Sequence, residues 1–275
     1  MSYATLMVHL DLDRSNAGLL AVAGDMAERF HSRVVGIATG QPIIYAYGEC
    51  FVGGDVIEQD MADMHKRMGA LEAEFRAVFL TRNTPVEWRS NVSYGPLADY
   101  LAAEARCADL VLANSPEASV PEGLAIVDTG ALVLQAGRPV LVVPTTAKTL
   151  RLDKGVICWR DTREARRAVY DAIDLLKMAG KVDVVEVTTD DEMPACRARL
   201  QDVVAWLASH GVSAVPIATP AAGDEKLTLA SIIEEREADF IVAGAYGHSR
   251  LHEWVLGGAT RELWMQSNHS CLLSH

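Results

Sequence analysis

The sequence predicts an α/β protein built from two copies of one parallel βαβ plan. Copy one begins with the strand pattern Leu6–Asp11, and copy two begins with Gly155–Arg160. Each strand leads into a polar turn and an amphipathic helix, over Asn16–Phe30 in copy one and Arg163–Ala179 in copy two. Because strands that alternate with helices favour parallel pairing, we expect two open sheets with helices on both faces.

The later elements of the two copies also correspond. A second strand is predicted over Val34–Ala38 in copy one and over Val184–Val187 in copy two. The run Ala105–Asn114 then matches Arg236–Gly244, since both contain Ala-Asp followed by an apolar strand pattern. The final strands are predicted over Arg138–Val143 and Ser270–Ser274.

The join between the copies is the polar segment Pro144–Lys154, which predicts two domains, 1–147 and 152–275. At 275 residues the chain is long enough for each domain to have its own core. The copies differ in length, because the sequence offset falls from 149 at their first strands to 130 at their fourth strands. We place the 19 additional residues of copy one at Gln41–Asp60, as a lid, a partner surface or an extension packed on its own domain.

The composition excludes several classes of function. The net charge of −12, from 25 basic and 37 acidic residues, disfavours general affinity for nucleic acid or anionic membranes. Apolar stretches are too short to cross a bilayer, the N-terminus carries no basic leader, and the five cysteines form no CxxC pair. We therefore expect a cytoplasmic protein with reduced cysteines and no nucleic-acid or membrane partner.

A glycine pattern follows the fourth strand of copy two. Gly244 and Gly247 come directly after the apolar run Asp239–Ala243, and Gly257 and Gly258 follow at the start of another helical segment. Glycine lets the backbone approach a ligand closely, and free N–H groups at a helix start favour an anion. Since ligands of open α/β sheets bind at the carboxyl ends of the strands, the pattern predicts a phosphate-binding site there.

Three features of copy two carry a family resemblance. They are the spacing Gly244-x2-Gly247-x9-Gly257, the preceding Ala-Asp-Phe-Ile-Val-Ala-Gly run and the closing strand after Thr260-Arg-Glu-Leu. Over essentially the whole chain, the sequence resembles the universal stress protein family in its tandem, two-domain form. The resemblance implies five-stranded parallel sheets in the order 3-2-1-4-5, packed as a pseudo-two-fold dimer. It also implies a stress-response or regulatory protein rather than an enzyme. Some family members bind ATP at this motif, whereas others have lost both the motif and the nucleotide.

By this resemblance, a site for ATP or a related adenine nucleotide would lie in copy two alone. Val187 and Ala243 would flank the adenosine, while the glycines and Thr260 would hold the phosphates. The residues implied are Val187, Ala243, Gly244, Gly247, Gly257, Gly258 and Thr260.

Two residues of copy two depart from the family pattern. Gly258 stands where the family usually has Ser or Thr, and Arg160 replaces the Asp that recognises the nucleoside. Because arginine cannot accept hydrogen bonds, recognition of adenine must be altered or absent. Asp161 is a candidate substitute, although a shift of one residue normally reverses the side-chain direction on a strand.

Copy one shows the reverse pattern. Asp11 is retained, but the aligned glycine positions read Asn114, Glu117, Val127 and Asp128. Each carboxylate at about 4 Å from a phosphate would cost roughly 1–4 kcal/mol, depending on screening. We therefore expect copy one to be a degenerate scaffold that binds no nucleoside triphosphate.

Neither a metal site nor a catalytic centre is predicted. His248 and His252 have the spacing of a metal pair, but the sequence indicates no third ligand, and Ser249 beside His248 is not a catalytic arrangement by itself. Three functions stay open: a regulatory protein that binds an adenine nucleotide and a protein partner, a protein-interaction module without nucleotide, and an ATP-hydrolysing enzyme. Further homodimerisation of the tandem chain also stays open.

Overall fold

The computed structural model describes residues 3–42, 54–116, 127–245 and 269–275, in two compact units. The N-terminal unit covers Ser2–Leu150 and the C-terminal unit covers Arg151–His275. The chain on each side of this division is tied to its own unit. The amide of Leu150 donates to the Asp25 carboxylate at 3.0 Å, and the carbonyl of Leu152 accepts from the amide of Gly180 at 3.0 Å.

The N-terminal unit is a parallel five-stranded sheet in the order β3-β2-β1-β4-β5. This is the predicted order 3-2-1-4-5, which is confirmed. The strands are β1 (Thr5–Leu10), β2 (Arg33–Gly40), β3 (Val86–Val92), β4 (Leu110–Asn114) and β5 (Val140–Val143). The helices are α1 (Ala17–Phe30), α2 (Gly54–Leu80), α3 (Leu97–Glu104) and α4 (Thr129–Gln135).

The C-terminal unit repeats this topology with the parallel order β8-β7-β6-β9-β10. The strands are β6 (Lys154–Cys158), β7 (Lys181–Thr188), β8 (Ala214–Pro220), β9 (Phe240–Gly244) and β10 (Ser270–Ser274). Its described helices are α5 (Arg163–Leu176), α6 (Met193–Ser209) and α7 (Glu225–Glu235). No helix in the described parts of the chain is long and apolar enough to span a membrane.

The strands follow the burial expected of parallel sheets covered by helices. The central strands β1, β4, β6 and β9 are buried along almost their whole length, in agreement with their near-continuous apolar sequences. The outer strands β3 and β8 are only half-buried. Pro216 and Pro220 lie on β8, where a missing backbone donor is tolerated because one side of the strand pairs with no other described strand.

The extra length of copy one is partly explained by a longer second helix. Helix α2 has 27 residues, whereas its counterpart α6 has 17. Residues 54–60 of the predicted insertion form the first turns of α2, and residues 43–53 lie outside the described part. The buried side chains of α2 recur every three or four residues along one face: Met64, Met68, Leu71, Phe75 and Phe79.

The first turn of α5 packs directly on the end of β9. The Thr162 hydroxyl caps this helix by accepting from the Ala165 amide at 3.3 Å, as the polar turn before it predicts. At Gly244, a β-carbon would lie 2.4 Å from the Ala165 amide nitrogen and 2.5 Å from the Glu164 carbonyl carbon. Gly244 therefore has a structural role of its own, because any side chain there would collide with helix backbone.

This contact predicts the effect of Gly244→Ala on stability. The backbone of α5 must move to admit the methyl group, so we expect the C-terminal unit to lose about 2 kcal/mol or more of its unfolding free energy. Urea denaturation of the full chain, followed by tryptophan fluorescence, measures this loss, because four of the five tryptophans belong to this unit.

Gly155→Ala is the matched control on β6. There the nearest heavy atom to a new β-carbon is 3.7 Å away, which is an ordinary van der Waals distance. The control should change stability by less than about 1 kcal/mol, in either direction. Equal effects of the two substitutions would contradict the role assigned to Gly244.

Candidate functional site

The carboxyl edge of the C-terminal sheet is centred on the residues that follow β6. Cys158, the last residue of β6, pairs with Val185 on one side and with Ala243 on the other. Trp159 continues the strand, since its amide donates to the Val185 carbonyl at 2.8 Å. Arg160 therefore leaves the sheet between the ends of β7 and β9, where the sequence predicts the nucleoside position.

Three of the predicted site residues lie within the described part and at this edge. Val187 is near the end of β7, and Ala243 and Gly244 end β9. Gly244 faces α5, and Glu186 bonds to Arg199 of α6, so these two residues point to the sheet face that carries α5 and α6. Successive side chains on a strand alternate between the faces, so their neighbours Val187 and Ala243 point to the opposite face. Both are buried. Gly247, Gly257, Gly258 and Thr260 lie outside the described residues, as do His248, Ser249, His252 and Glu117.

Arg160 is engaged in an ion pair at this edge. Its Nη2 donates to Oε2 of Glu225, in the first turn of α7, at 3.0 Å. The two side chains are 40% and 31% exposed, which makes the pair a surface interaction of roughly 0–1 kcal/mol. Asp161, the candidate substitute for the missing aspartate, instead accepts from Arg166 of α5 at 2.6 Å. The carboxylate next to Arg160 therefore comes from Glu225.

The corresponding edge of the N-terminal unit is closed by its own side chains. The Asp11 carboxylate accepts from Arg14 at 2.7 Å and from the Asn114 amide at 2.8 Å. Arg14 also donates to the carbonyl of Ser115, and Asn16 both donates to and accepts from the backbone of Asp11. The Asp11 carboxylate is thus already engaged by side chains of its own unit.

This network is buried beneath the edge of the sheet. Asp11, Asn16 and Asn114 are 9%, 2% and 2% exposed. His9 lies behind them, with its Nδ1 4.0 Å from Asp11. Burial lowers the pKa of His9, and the nearby Arg14 acts in the same direction against the opposing effect of Asp11. His9 is therefore neutral at physiological pH, and Arg14 is the positive charge that compensates Asp11.

The second part of the closure is the side chain of Asp128. It is the N-cap of α4, and its Oδ1 accepts from the amides of Gly130 at 2.9 Å and Ala131 at 3.1 Å. These are the N–H groups that a helix start would offer to a phosphate. The Asp128 carboxylate thus already occupies the two amides at the start of α4, in addition to carrying a charge that repels phosphate.

Sequence reasoning did not find Arg14, Asn16 or Glu225. The available signal for the first two was Asp11-x2-Arg14-x-Asn16, three polar residues on one turn after a buried strand. Glu225 had no such signal, since it is 65 residues from Arg160. Within the described ranges, no group of three or more His, Cys, Asp or Glu residues is placed to hold a metal ion.

Comparisons with known proteins give similarity at the level of structure. No protein-family model matches the chain. No curated protein matches it either. A universal stress protein from Archaeoglobus fulgidus DSM 4304 has a TM-score of 0.78 at 14% identity, over 99% of this chain and 96% of that one.

Two structures from Pseudomonas aeruginosa are also similar over their length. One, from strain UCBPP-PA14 and assigned to the universal stress proteins, has a TM-score of 0.61 at 15% identity, over 99% of this chain and 93% of that one. The other, a functionally unknown protein from strain PAO1, has a TM-score of 0.58 at 17% identity, over 99% of this chain and 92% of that one. The chain therefore has the fold of the universal stress proteins, present in two successive units.

Proposed function

We propose that this chain is a tandem universal stress protein with a regulatory role, whose C-terminal unit binds ATP or a related adenine nucleotide. The N-terminal unit would be a scaffold that binds no nucleotide. The observation that supports this division is the difference between two topologically equivalent edges. One is filled by Asp11, Arg14 and Asp128, whereas the other ends in Gly244 and continues into the glycine pattern.

The C-terminal edge offers a different balance of charge from that of the N-terminal edge. Arg160 is a partly exposed cation, and Glu225, the carboxylate with which it pairs in the described structure, is itself partly exposed. Such a pair is weak enough for a phosphate group to compete for the guanidinium, which binds phosphate through its planar set of donors. Glu225 would then supply the carboxylate acceptor near the nucleoside that Arg160 cannot supply.

The regulatory mechanism follows from the position of the glycines. A nucleotide would shift the surface around the glycine pattern, and a protein partner would read that change. A ligand shifts such an equilibrium only by its difference in affinity for the two states. The proposal assigns no catalytic residue, and the effect of the nucleotide is on binding rather than on chemistry.

A protein-interaction module without nucleotide is the second candidate. The Arg160–Glu225 pair favours it, because both charges satisfy each other without a ligand. Under this alternative, Gly244 is retained only for its packing against α5. The two candidates differ in whether any nucleotide binds, which a direct titration decides.

Calorimetric titration of the full chain with ATP, ADP, AMP and GTP tests the proposal. We expect one ATP per chain, with affinity falling from ATP to AMP as phosphates are removed. Since the nucleoside aspartate is replaced by Arg160, GTP should bind within about threefold of ATP, a difference below about 1 kcal/mol. The absence of heat at millimolar ATP would favour the interaction module, and two ATP per chain would contradict the closed N-terminal edge.

Gly247→Glu tests the predicted phosphate position by copying the acidic character of copy one. A carboxylate near the phosphates costs roughly 1–4 kcal/mol, so ATP affinity should fall at least about fivefold. Gly69→Glu adds the same charge on the exposed face of α2, where a β-carbon meets nothing within 4 Å, and should leave ATP affinity unchanged. Normal ATP binding by the Gly247 variant would show that the phosphate site was placed wrongly.

A further inference from the structure

A cavity of about 580 Å³ lies between α5 and α6 in the C-terminal unit. Its volume is within the range of roughly 300–1,000 Å³ that is typical of small-molecule sites. Trp159, Tyr170 and Trp206 line it with aromatic surface, and Val169 and Val203 add aliphatic surface. It opens between two helices, so it is separate from the face on which Val187 and Ala243 lie.

The aromatic groups around this cavity are incompletely covered. Tyr170 is 43% exposed and Trp206 is 38% exposed, although both are large side chains on well-packed helices. Trp159 is buried, and its indole Nε1 has no hydrogen-bond partner in the described structure. Buried tryptophan N–H groups usually find an acceptor. This donor is enclosed by the protein and does not face the open cavity, so the surfaces available to a ligand are the exposed parts of Tyr170 and Trp206.

The charged side chains of the cavity leave a net negative charge. Arg166 is neutralised by Asp161 at 2.6 Å. Arg199 is neutralised by the buried carboxylate of Glu186, which it contacts through both Nε and Nη2. Asp202 also lines the cavity, and it forms no hydrogen bond or ion pair with any other described residue. The one uncompensated charge among the described lining residues is thus a carboxylate.

In the N-terminal unit, an arginine side chain crosses between the two corresponding helices, α1 and α2. Arg82, which follows α2, reaches across to α1, where its guanidinium carbon would be 2.7 Å from a β-carbon at Gly24. It is held there by Glu28 at 2.6 Å and lies 3.9 Å from Asp25. Helix α6 has no corresponding arginine contact to α5 within the described residues.

We propose that the cavity binds a small planar aromatic molecule that carries one positive charge. The flat surfaces of Tyr170 and Trp206 suit a stacked ring, and aromatic faces attract cations. Asp202 adds a direct charge partner at the rim. The net charge of −12 raises the local concentration of cations and disfavours anions of the same shape. This site lies on the α5 and α6 face of the sheet, opposite the face of Val187 and Ala243, and its ligand is of the opposite charge to a nucleotide.

Three probes of one shape test the proposal by calorimetric titration of the full chain. They are 9-aminoacridine, which is cationic at neutral pH, acridine, which is neutral, and 9-anthracenecarboxylate, which is anionic. We expect the cation to bind most tightly and the anion at least about tenfold more weakly. Equal affinity for the cation and the anion would overturn the proposal.

Asp202→Asn separates the charge from the shape of the cavity. It should weaken 9-aminoacridine about threefold to tenfold and leave acridine unchanged, because only the charged probe loses a partner. Glu74→Gln removes an exposed carboxylate from α2 and is the matched control, with no effect on any probe. If Asp202→Asn lowers the affinity for 9-aminoacridine no more than the control does, the role of Asp202 is overturned.

Two further variants locate the probe. Trp206→Ala should weaken both 9-aminoacridine and acridine about tenfold, since it removes one aromatic wall. Val203→Trp should fill the cavity and exclude both probes, with the far-ultraviolet circular dichroism of the folded chain retained. If the alanine variant fails to fold, the tryptophan variant decides alone. Unchanged affinity in a folded Val203→Trp protein would place the probe elsewhere and overturn the proposal.

Discussion

The parallel direction of all strands within each unit is the constraint on which the rest of this structure depends. It brings the carboxyl ends of β1 and β4 together in one unit, and those of β6 and β9 in the other. Each unit therefore has one edge where side chains distant in sequence must meet. The two edges have the same architecture but different chemistry: Asp11 and Asn114 bond to each other, whereas Arg160 turns away from the glycine at 244 towards α7.

The fold could be predicted from the sequence because its signals are local and repeated. Buried parallel strands read as apolar runs, and the repeat of the same pattern in both halves predicted parallel βαβ units in each. The strand order itself was implied by the resemblance to the universal stress proteins. The charge partners could not be predicted in the same way. The turn that starts α5 decides whether the Asp161 carboxylate points to the sheet edge or to the Arg166 side chain. The pairing of Arg160 with Glu225 depends on where α7 begins. The cavity depends on the separation of two helices, which periodicity does not encode.

Gly244 shows that a single glycine of a motif can be needed for two reasons, for packing against a helix and for the close approach of a ligand. Its lack of a side chain is explained by contact with the first turn of α5, whatever ligand the edge holds. A motif glycine of this kind can therefore persist after a ligand has been lost. The acidic residue at 128 carries the opposite information, because a carboxylate that takes up the amides of a helix start has no role in binding phosphate. Substitutions that occupy a site are more informative about function than glycines that leave it open.

The cap formed by Asp128 has a thermodynamic consequence. In effect, α4 carries a covalently attached anion, whose local concentration never varies with the composition of the solution. The first amides of α4 are consequently satisfied without an anion from solution. A unit whose anion must come from solution gains stability by mass action as that anion accumulates. Under the proposed function, the chain would combine a helix start that carries its own anion with a site that takes its anion from solution.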